Sequence, residues 1–548
     1  MEFDQLLKQY LGEIGLYQIL VVALLSILGM TVSFTNVSIV FIAAVPEHHC
    51  YIQELWQSTL NISIDDIRNI SIPRDSENGG FQKCKMYDRN YSDITSSKLN
   101  SWMSEVNESS VKIVPCKEWY YDQSQYISTV VSQFGLVCDY EWMIYLTNIM
   151  FMAGYLVGTL ISGQIADRFG RRYTIIGCYA LTVVFSFATA FSPNFTIFTI
   201  LRFCTAVFSI SSYTIGFVFN MELVGPSWRN TSGLSMQYSW SMGFMVLALV
   251  AYYIRDWSTL QLVLVIPLAL HCFLIFFLPE SPRWLYAKCK TENADAAVRK
   301  IAKWNRKDIP KALNVNVETN AANHTIIDLM RTPRMRKRAL AMFYAWFVCA
   351  FVYYGLSLNS SSWGGDPYVN FLISGAIEVP AYVLAHICFW KIGRRYPISF
   401  AFMCGGLALL CILVIPKHMT LLIIVLSMTG KFLISAGFGM VYNYAAEVFP
   451  TQVRNLGVGT SSTCARVGGM LAPCVNLLGA FSWFVPSLIF GVASLIGALV
   501  VLLLPESRGR NLPDTMEEAE NFSKFKRKFN PAMDDSTLAE PLSSANDV

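Results

Sequence analysis

Twelve stretches of this sequence stay apolar over about the thickness of a hydrocarbon layer, and they limit the fold more than any other feature. They are 17–42, 142–162, 173–192, 196–220, 232–254, 259–278, 339–358, 368–390, 397–415, 419–446, 456–479 and 484–504. A hydrocarbon core of about 30 Å needs roughly 20 apolar residues per helix. No water inside it can satisfy backbone N–H and C=O groups, so each crossing segment bonds within itself as a helix. Only 15% of the residues are charged, against about 25% in soluble proteins. An all-α membrane protein is expected. The first run is too long for a signal-peptide core and lacks a clear small-residue cleavage site, so it reads as a retained helix.

Charge divides the connecting segments. Segment 43–141 holds eight Lys/Arg and fourteen Asp/Glu, whereas 279–338 holds fourteen Lys/Arg and six Asp/Glu. Basic loops stay cytoplasmic, and the links 167–172 and 391–395 are basic too. Both termini and 279–338 are therefore expected inside, and 43–141 outside. The outer segment carries glycosylation sequons at Asn61, Asn69, Asn90 and Asn107. It also holds Cys50, Cys84, Cys116 and Cys138, an even set that predicts two disulfides with three pairings open. Asn359 is a further outer sequon; Asn230 and Asn323 face inward and should carry no glycan. His48-His49 reads as a solvated turn rather than a metal site. In the inner segment, Ala297, Val298, Ile301 and Trp304 recur at helical spacing within 293–305. Beyond about 512 the tail is polar and expected to stay without structure, its Lys524, Lys526, Arg527 and Lys528 forming a solvated charge run.

Three motifs occur twice. "MELVGPSWRN" (221–230) follows the fourth run and "AEVFPTQVRN" (446–455) the tenth; Glu222 and Glu447 lie 225 apart, as do Arg229 and Arg454. "PESPRWL" (279–285) follows the sixth and "PESRGRNL" (505–512) the twelfth; "DRFGRR" (167–172) follows the second and "WKIGRR" (390–395) the eighth. Six helices are thus followed by six more. Parallel six-helix halves, pseudo-symmetric about an axis along the membrane normal, describe the major facilitator architecture. The expected organisation is 1–278 as the N-terminal half, 279–338 as linker, 339–504 as the C-terminal half and 505–548 as tail.

The repeated charges all stand at cytoplasmic helix ends. Arg168, Arg171 and Arg172 can reach Glu222 and Glu280 in the first half, and Arg394 and Arg395 can reach Glu447 and Glu506 in the second; Asp167 and Arg454 join the same two gate sets. Such networks can close the inner side in one conformation and break in the other. Orientation by positive charge alone would not require the paired glutamates.

Charges also occur inside the runs. One at the bilayer centre costs about 2.5–3.5 kcal/mol and needs a cavity or a partner. Arg466 lies about 15 Å into its helix at 1.5 Å per residue, Lys431 about as deep in the tenth and Glu378 ten residues into the eighth. They are candidates for substrate contact, or for mutual pairing that locks the half. The aromatic complement is Tyr354, Phe438, Tyr442 and Trp240, since ring faces attract ammonium groups at about 0.5–2 kcal/mol each.

These motifs carry a resemblance. "GQIADRFGRR" (163–172) resembles the loop signature of the major facilitator superfamily. The long cysteine-bearing first loop, "YYGLSLN" (353–359), "EVPAY" (378–382) and "AEVFPTQVRNLGVGTSSTCARVGG" (446–469) resemble the organic-ion transporter family, whose branches carry organic cations, organic anions or carnitine-like zwitterions. The resemblance implies an aspartate at the Arg466 position for cation carriers. For anion carriers it implies arginine there with a lysine where this chain has Tyr382. Carnitine-type carriers are most similar, with arginine in helix eleven and "EVPAY" in helix eight. Some of these couple to sodium through an Asn-Tyr pair in helix four, where this chain has Ser212-Tyr213.

The expected function is transport of small organic ions across a lipid bilayer by alternating access, at the plasma membrane. A sugar porter is the alternative within the class, but a neutral sugar calls for amides rather than Arg466. A transporter-like receptor that binds without moving its ligand is the alternative outside it. No Walker loop or compact metal-spaced cluster appears in the sequence, so neither an enzyme, a cofactor nor a nucleic-acid partner is expected. A gradient must then drive transport, with sodium, a proton or no coupling ion left open.

Overall fold

The computed structural model describes residues 3–56, 63–74, 80–91, 111–310, 313, 325–360, 363–508, 513 and 515–521. Twelve long helices account for most of it. They are α1 (Leu16–Ile42), α2 (Trp142–Phe169), α3 (Arg171–Thr189), α4 (Phe195–Leu223), α5 (Arg229–Tyr253), α6 (Trp257–Ile275), α7 (Pro333–Leu358), α8 (Pro367–Lys391), α9 (Arg395–Cys411), α10 (Thr420–Val448), α11 (Arg454–Leu477) and α12 (Val485–Val501). The first ten are long and apolar enough to cross a membrane, and α12 is apolar but shorter. Helix α11 is long enough but polar, because Thr460, Ser461, Ser462, Thr463 and Arg466 interrupt it. This is the twelve-helix major facilitator fold.

Local chemistry sets the helix ends. Asn194 caps α4 by accepting the Ile197 N–H at 2.9 Å, and Asp256 caps α6 by accepting that of Thr259 at 2.8 Å. Helix α8 is interrupted between Ala376 and Glu378. Pro380 has no N–H to give the Ala376 carbonyl, so the ladder loses a bond there, and Glu378 sits at the break. The α2–α3 and α8–α9 turns pass through Gly170 (φ 101°) and Gly393 (φ 137°), a region that side-chain-bearing residues avoid.

Two compact units divide the chain: Met1–Val315 with Gly355–Ala376 and Met470–Trp483, and Asn316–Tyr354 with Ile377–Gly469 and Phe484–Val548. In the first, α4 packs on α2 and α3, α1 on α5, and α6 on α3. In the second, α10 packs on α8 and α9, and α9 on α12. Glycines permit the closest approaches: Gly158 of α2 faces the Val207 carbonyl of α4, and Gly468 of α11 faces the Phe347 carbonyl of α7.

The described parts of segment 43–141 form a small disulfide-tied layer. Strand β1 (His48–Cys50) pairs antiparallel with β4 (Trp119–Tyr121), and β2 (Lys85–Tyr87) with β3 (Ile113–Pro115). Ile52, Leu55, Ile67 and Tyr91 form its core. Of the three possible disulfide pairings, the structure has Cys50–Cys116 and Cys84–Cys138. The histidine pair departs from expectation. His48 and His49 are buried in β1 rather than solvated in a turn, because the β1–β4 pairing covers them and His48 Nδ1 bonds the Pro46 carbonyl at 3.0 Å. Asn69 is half-buried and Asn90 exposed; Asn61, Asn107 and Asn323 lie outside the described residues.

The inner segment contains the helix Thr291–Trp304, which buries Ala294, Val298, Ile301 and Ala302, while Trp304 stays half exposed beside Tyr17. After it, Asn305 caps α1: its Oδ1 accepts the Tyr17 N–H at 3.1 Å, and its Nδ2 donates to Leu11 O and Gln18 Oε1. The tail also departs from expectation. Met516–Asn521 is helical, and Glu520 accepts the N–H groups of Arg334 and Met335 at 3.1 and 3.0 Å. A carboxylate at the start of α7 meets the positive end of the helix dipole. The lysine run from Lys524 lies outside the described residues.

Candidate functional site

The second unit concentrates the intramembrane charges. Glu378 and Lys431 are fully buried, and Lys431 Nζ stands 3.0 Å from Glu378 Oε1. The Tyr353 hydroxyl donates to the same oxygen at 2.9 Å, while Lys431 Nζ lies 5.3 Å from the Tyr353 ring centre. A buried ion pair offsets its desolvation only when further hydrogen bonds satisfy it, and Tyr353 provides one. Three helices meet here: α7 brings Tyr353, α8 brings Glu378 and α10 brings Lys431.

About two to three turns along α10 from Lys431 lies an aromatic wall. Trp346 stands 6.1 Å from Phe438 and 4.3 Å from Tyr442 between ring centres, and Tyr353 stands 6.2 Å from Phe438. Tyr354 packs edge-on against Tyr353 at 5.3 Å. Arg466 of α11 is partly buried, and its charge acts on the Tyr442 phenol, which bonds Ser462. The structure thus groups Arg466, Tyr442 and Phe438, and links Tyr354 to Glu378 and Lys431 through Tyr353. Trp240 belongs to the other unit, where it packs near Tyr213 and Phe244 at 6.1 and 6.4 Å. Sequence reasoning passed over Trp346 and Tyr353 as site residues. They lie seven apart on α7, two turns along one face, and that spacing was a usable signal.

The repeated charges form two clusters, one in each unit. In the first, Arg171 bonds Glu222 Oε1 through Nε (3.3 Å) and Nη2 (3.0 Å), and Asp167 through Nη1 at 2.8 Å. Glu280 accepts the backbone N–H groups of Arg171 and Arg172 at 2.9 and 3.2 Å. In the second, Arg394 grips both oxygens of Glu447 at 2.9 and 3.0 Å, and Glu506 accepts the N–H groups of Arg394 and Arg395. Two residues went unnoticed in the sequence. Ser281 and Ser507 donate to Glu222 and Glu447 at 2.5 and 2.6 Å, and both follow the repeated Pro-Glu. Arg168 lies over the Phe169 ring, and Arg454 Nε bonds the Phe449 carbonyl. Arg229, at the position equivalent to Arg454, pairs with Asp4 at 2.6 Å.

Comparison with known proteins agrees with this architecture. Residues 106–519 match the family described as "Sugar (and other) transporter". The chain is 38% identical to mouse organic cation/carnitine transporter 2, covering 94% of each protein. It is 36% identical to mouse solute carrier family 22 member 21, covering 96% of this chain and 95% of that one. It is 34% identical to the Drosophila melanogaster organic cation transporter protein, covering 96% and 95%. Among solved structures, the inward open xylose transporter XylE from E. coli superposes with a TM-score of 0.56 at 14% identity, over 92% of this chain and all of that one; this likeness concerns the fold alone. At these identities over nearly its whole length, the chain belongs to solute carrier family 22, a transporter family of the major facilitator superfamily.

Proposed function

We propose that this protein carries small organic ions across the plasma membrane by alternating access, and that its preferred substrates bear a carboxylate. The observation that carries the reading is the aromatic wall of Trp346, Phe438 and Tyr442, with the charge of Arg466 acting on the Tyr442 phenol. A guanidinium presents a planar fork that holds a carboxylate through two parallel hydrogen bonds, and ring faces attract an ammonium or apolar end. That combination suits a carnitine-like zwitterion. The name of a relative, organic cation/carnitine transporter 2, supports the same substrate class. Glu378 is engaged by Lys431 and Tyr353; in this reading the pair fixes the wall rather than binding substrate first.

In the same reading the two charge clusters are the cytoplasmic gate, the termini face the cytoplasm and segment 43–141 faces outward. The test is uptake of a charge-varied panel into proteoliposomes, with sodium replaced by potassium in parallel to identify coupling. Arg466→Lys should weaken carboxylate substrates about tenfold, the worth of one lost charge-assisted hydrogen bond. Arg466→Asp should abolish their uptake. Undiminished uptake of every substrate by Arg466→Ala would remove the assignment.

A further inference from the structure

On the first unit, α5 and the first half of α8 leave an open groove of about 360 Å³ between them. Met245, Leu249 and Tyr252 line it from α5, and Tyr368, Val369 and Leu372 from α8. Leu249, Val369 and Leu372 are exposed on helices that span the membrane, so the groove opens toward lipid. From Met245 to Tyr252 it follows α5 for about 10 Å at 1.5 Å per residue. Its lining is apolar except for two phenols, and the Tyr368 hydroxyl is already given to the Gln125 carbonyl at 3.0 Å.

A guanidinium stands at one end of this groove. Arg255 Cζ lies 5.5 Å from the Tyr252 ring centre and 6.0 Å from that of Tyr368, the two rings themselves meeting edge-on at 5.7 Å. Segment 43–141 fixes it there: Nη1 donates to the Ser124 carbonyl at 2.9 Å, and Nε donates to the Tyr252 carbonyl at 3.3 Å. Both acceptors are neutral, and among the described residues no carboxylate pairs with Arg255. The two acids nearest in the chain are engaged at helix starts. Asp256 accepts the Thr259 N–H, and Asp366 accepts those of Tyr368 and Val369 at 2.8 and 3.1 Å. Depth is marked independently. Tyr252 and Tyr253 form an exposed tyrosine pair at the end of α5, and exposed tyrosines gather where hydrocarbon gives way to headgroups. Arg255, two residues beyond, therefore stands at phosphate level, with the groove running below it into the hydrocarbon.

We infer that this groove is a phospholipid site, in which Arg255 holds the phosphate and one acyl chain lies between α5 and α8. The phosphate neutralises a cation that the protein leaves without an acid, and a charge-assisted hydrogen bond is stronger than a neutral one. The chain fills a concave apolar surface that flat packing of lipid would leave partly empty. A bound lipid would join α5, α8 and the Gln125–Ser128 stretch, which already bonds to Arg255 and Tyr368. That the lipid belongs to the outer leaflet rests on the sidedness proposed above; the binding itself does not.

The experiment is photolabelling of the purified, delipidated full-length protein in detergent micelles. The probe is a phosphatidylglycerol with a diazirine on one acyl chain, its adducts mapped by peptide mass spectrometry. Phosphatidylglycerol carries no ammonium, so the Arg466 site does not confuse the result. Wild type should be labelled within 245–252 and 368–372; unlabelled phosphatidylglycerol should compete, and inorganic phosphate, which has no chain, should not. Arg255→Gln should lower labelling of these peptides about tenfold, the worth of one charged contact, while Arg255→Lys keeps most of it. Leu249→Trp, which fills the groove and leaves Arg255 in place, should lower it as well. Thermal midpoints of the variants in lipid-free micelles separate a lost site from a lost fold. Equal labelling of the groove by the phosphate-free diacylglycerol probe, or undiminished labelling in a folded Arg255→Gln, overturns the inference. Preferential labelling by a diazirine sterol would give the groove to a sterol, and a change in oligomeric state confined to Leu249→Trp would give it to a second copy; either also overturns it.

Discussion

The two charge clusters use the same backbone device and different side-chain wiring. Each has a positive-φ glycine, a glutamate that receives the next N–H groups, an arginine on a second glutamate, and a serine that donates to that same glutamate. The difference lies four residues before the arginine. The first unit has Asp167 there and the second Trp390. Arg171 therefore shares its fork between two acids, and only one oxygen of Glu222 serves it. Arg394 is committed to both oxygens of Glu447 and lies 4.1 Å from the Phe389 ring centre. One cluster can exchange partners, whereas the other has a single closed geometry. Duplication preserved the frame and let the ion-pair wiring diverge.

The largest effect should come from Glu447→Gln. It strands a mostly buried guanidinium, and breaking such a pair costs about 3–5 kcal/mol. Uptake should fall at least tenfold, with a lower thermal midpoint by fluorescence. Glu222→Gln should do clearly less, because Arg171 keeps Asp167. Equal losses in the two variants would erase the contrast. Trp390→Asp in the Glu447→Gln background sharpens it: a supplied acid should restore part of the thermal midpoint, and no recovery would show that position 390 is not the cause.

Next in size are the turn glycines. Alanine at either meets a forbidden φ, about 1–3 kcal/mol of strain. A Cβ at Gly170 would press on Glu280 Oε2 more tightly than one at Gly393, which meets Glu506 Oε2 at 3.0 Å. Gly170→Ala should therefore be the more damaging of the two, read as surface expression and thermal midpoint.

The smallest effect concerns pH, at the opposite end of α2 from the Arg171 cluster. Burial, with the Arg68 charge beside it, holds His49 down at about 4 against an ordinary 6.5, and burial lowers His48 too. Between pH 6.5 and 4 the unfolded chain binds more protons than the folded one, so stability falls as pH drops through that window. His49→Gln should flatten that slope in a pH series of thermal midpoints, and an unchanged slope would assign it to other groups.

What could be read in advance followed from repetition and length. Twelve helices and the Arg–Glu partners stood in the sequence because a membrane dictates span length and a duplicated motif marks its own equivalents. The mutual engagement of Glu378 and Lys431 was open as one of two readings, since helix phase between α8 and α10 depends on packing across the bundle. The break that positions Glu378 could have been inferred from Pro380. The strands of segment 43–141 are three residues each, too short for a period-2 pattern to rise above its loops. His48 and His49 therefore looked solvated, and the cysteine partners stayed ambiguous. The docked Met516–Asn521 was hidden for a similar reason: its stability comes from capping α7, not from its own six residues.

That capping has a consequence for how the protein is made. The start of α1 is completed by Asn305, 288 residues downstream, and the start of α7 by Glu520, 186 residues downstream. A ribosome adding about 5–20 residues per second takes roughly 14–58 s and 9–37 s to deliver them. Through those intervals each first helix sits in the membrane with its terminal amides unsealed. The nascent chain must therefore be held by the insertion machinery, or by water at the interface, until the capping residue that follows each half emerges. A stop codon just before Glu520 would leave all twelve helices synthesised and the second half never latched.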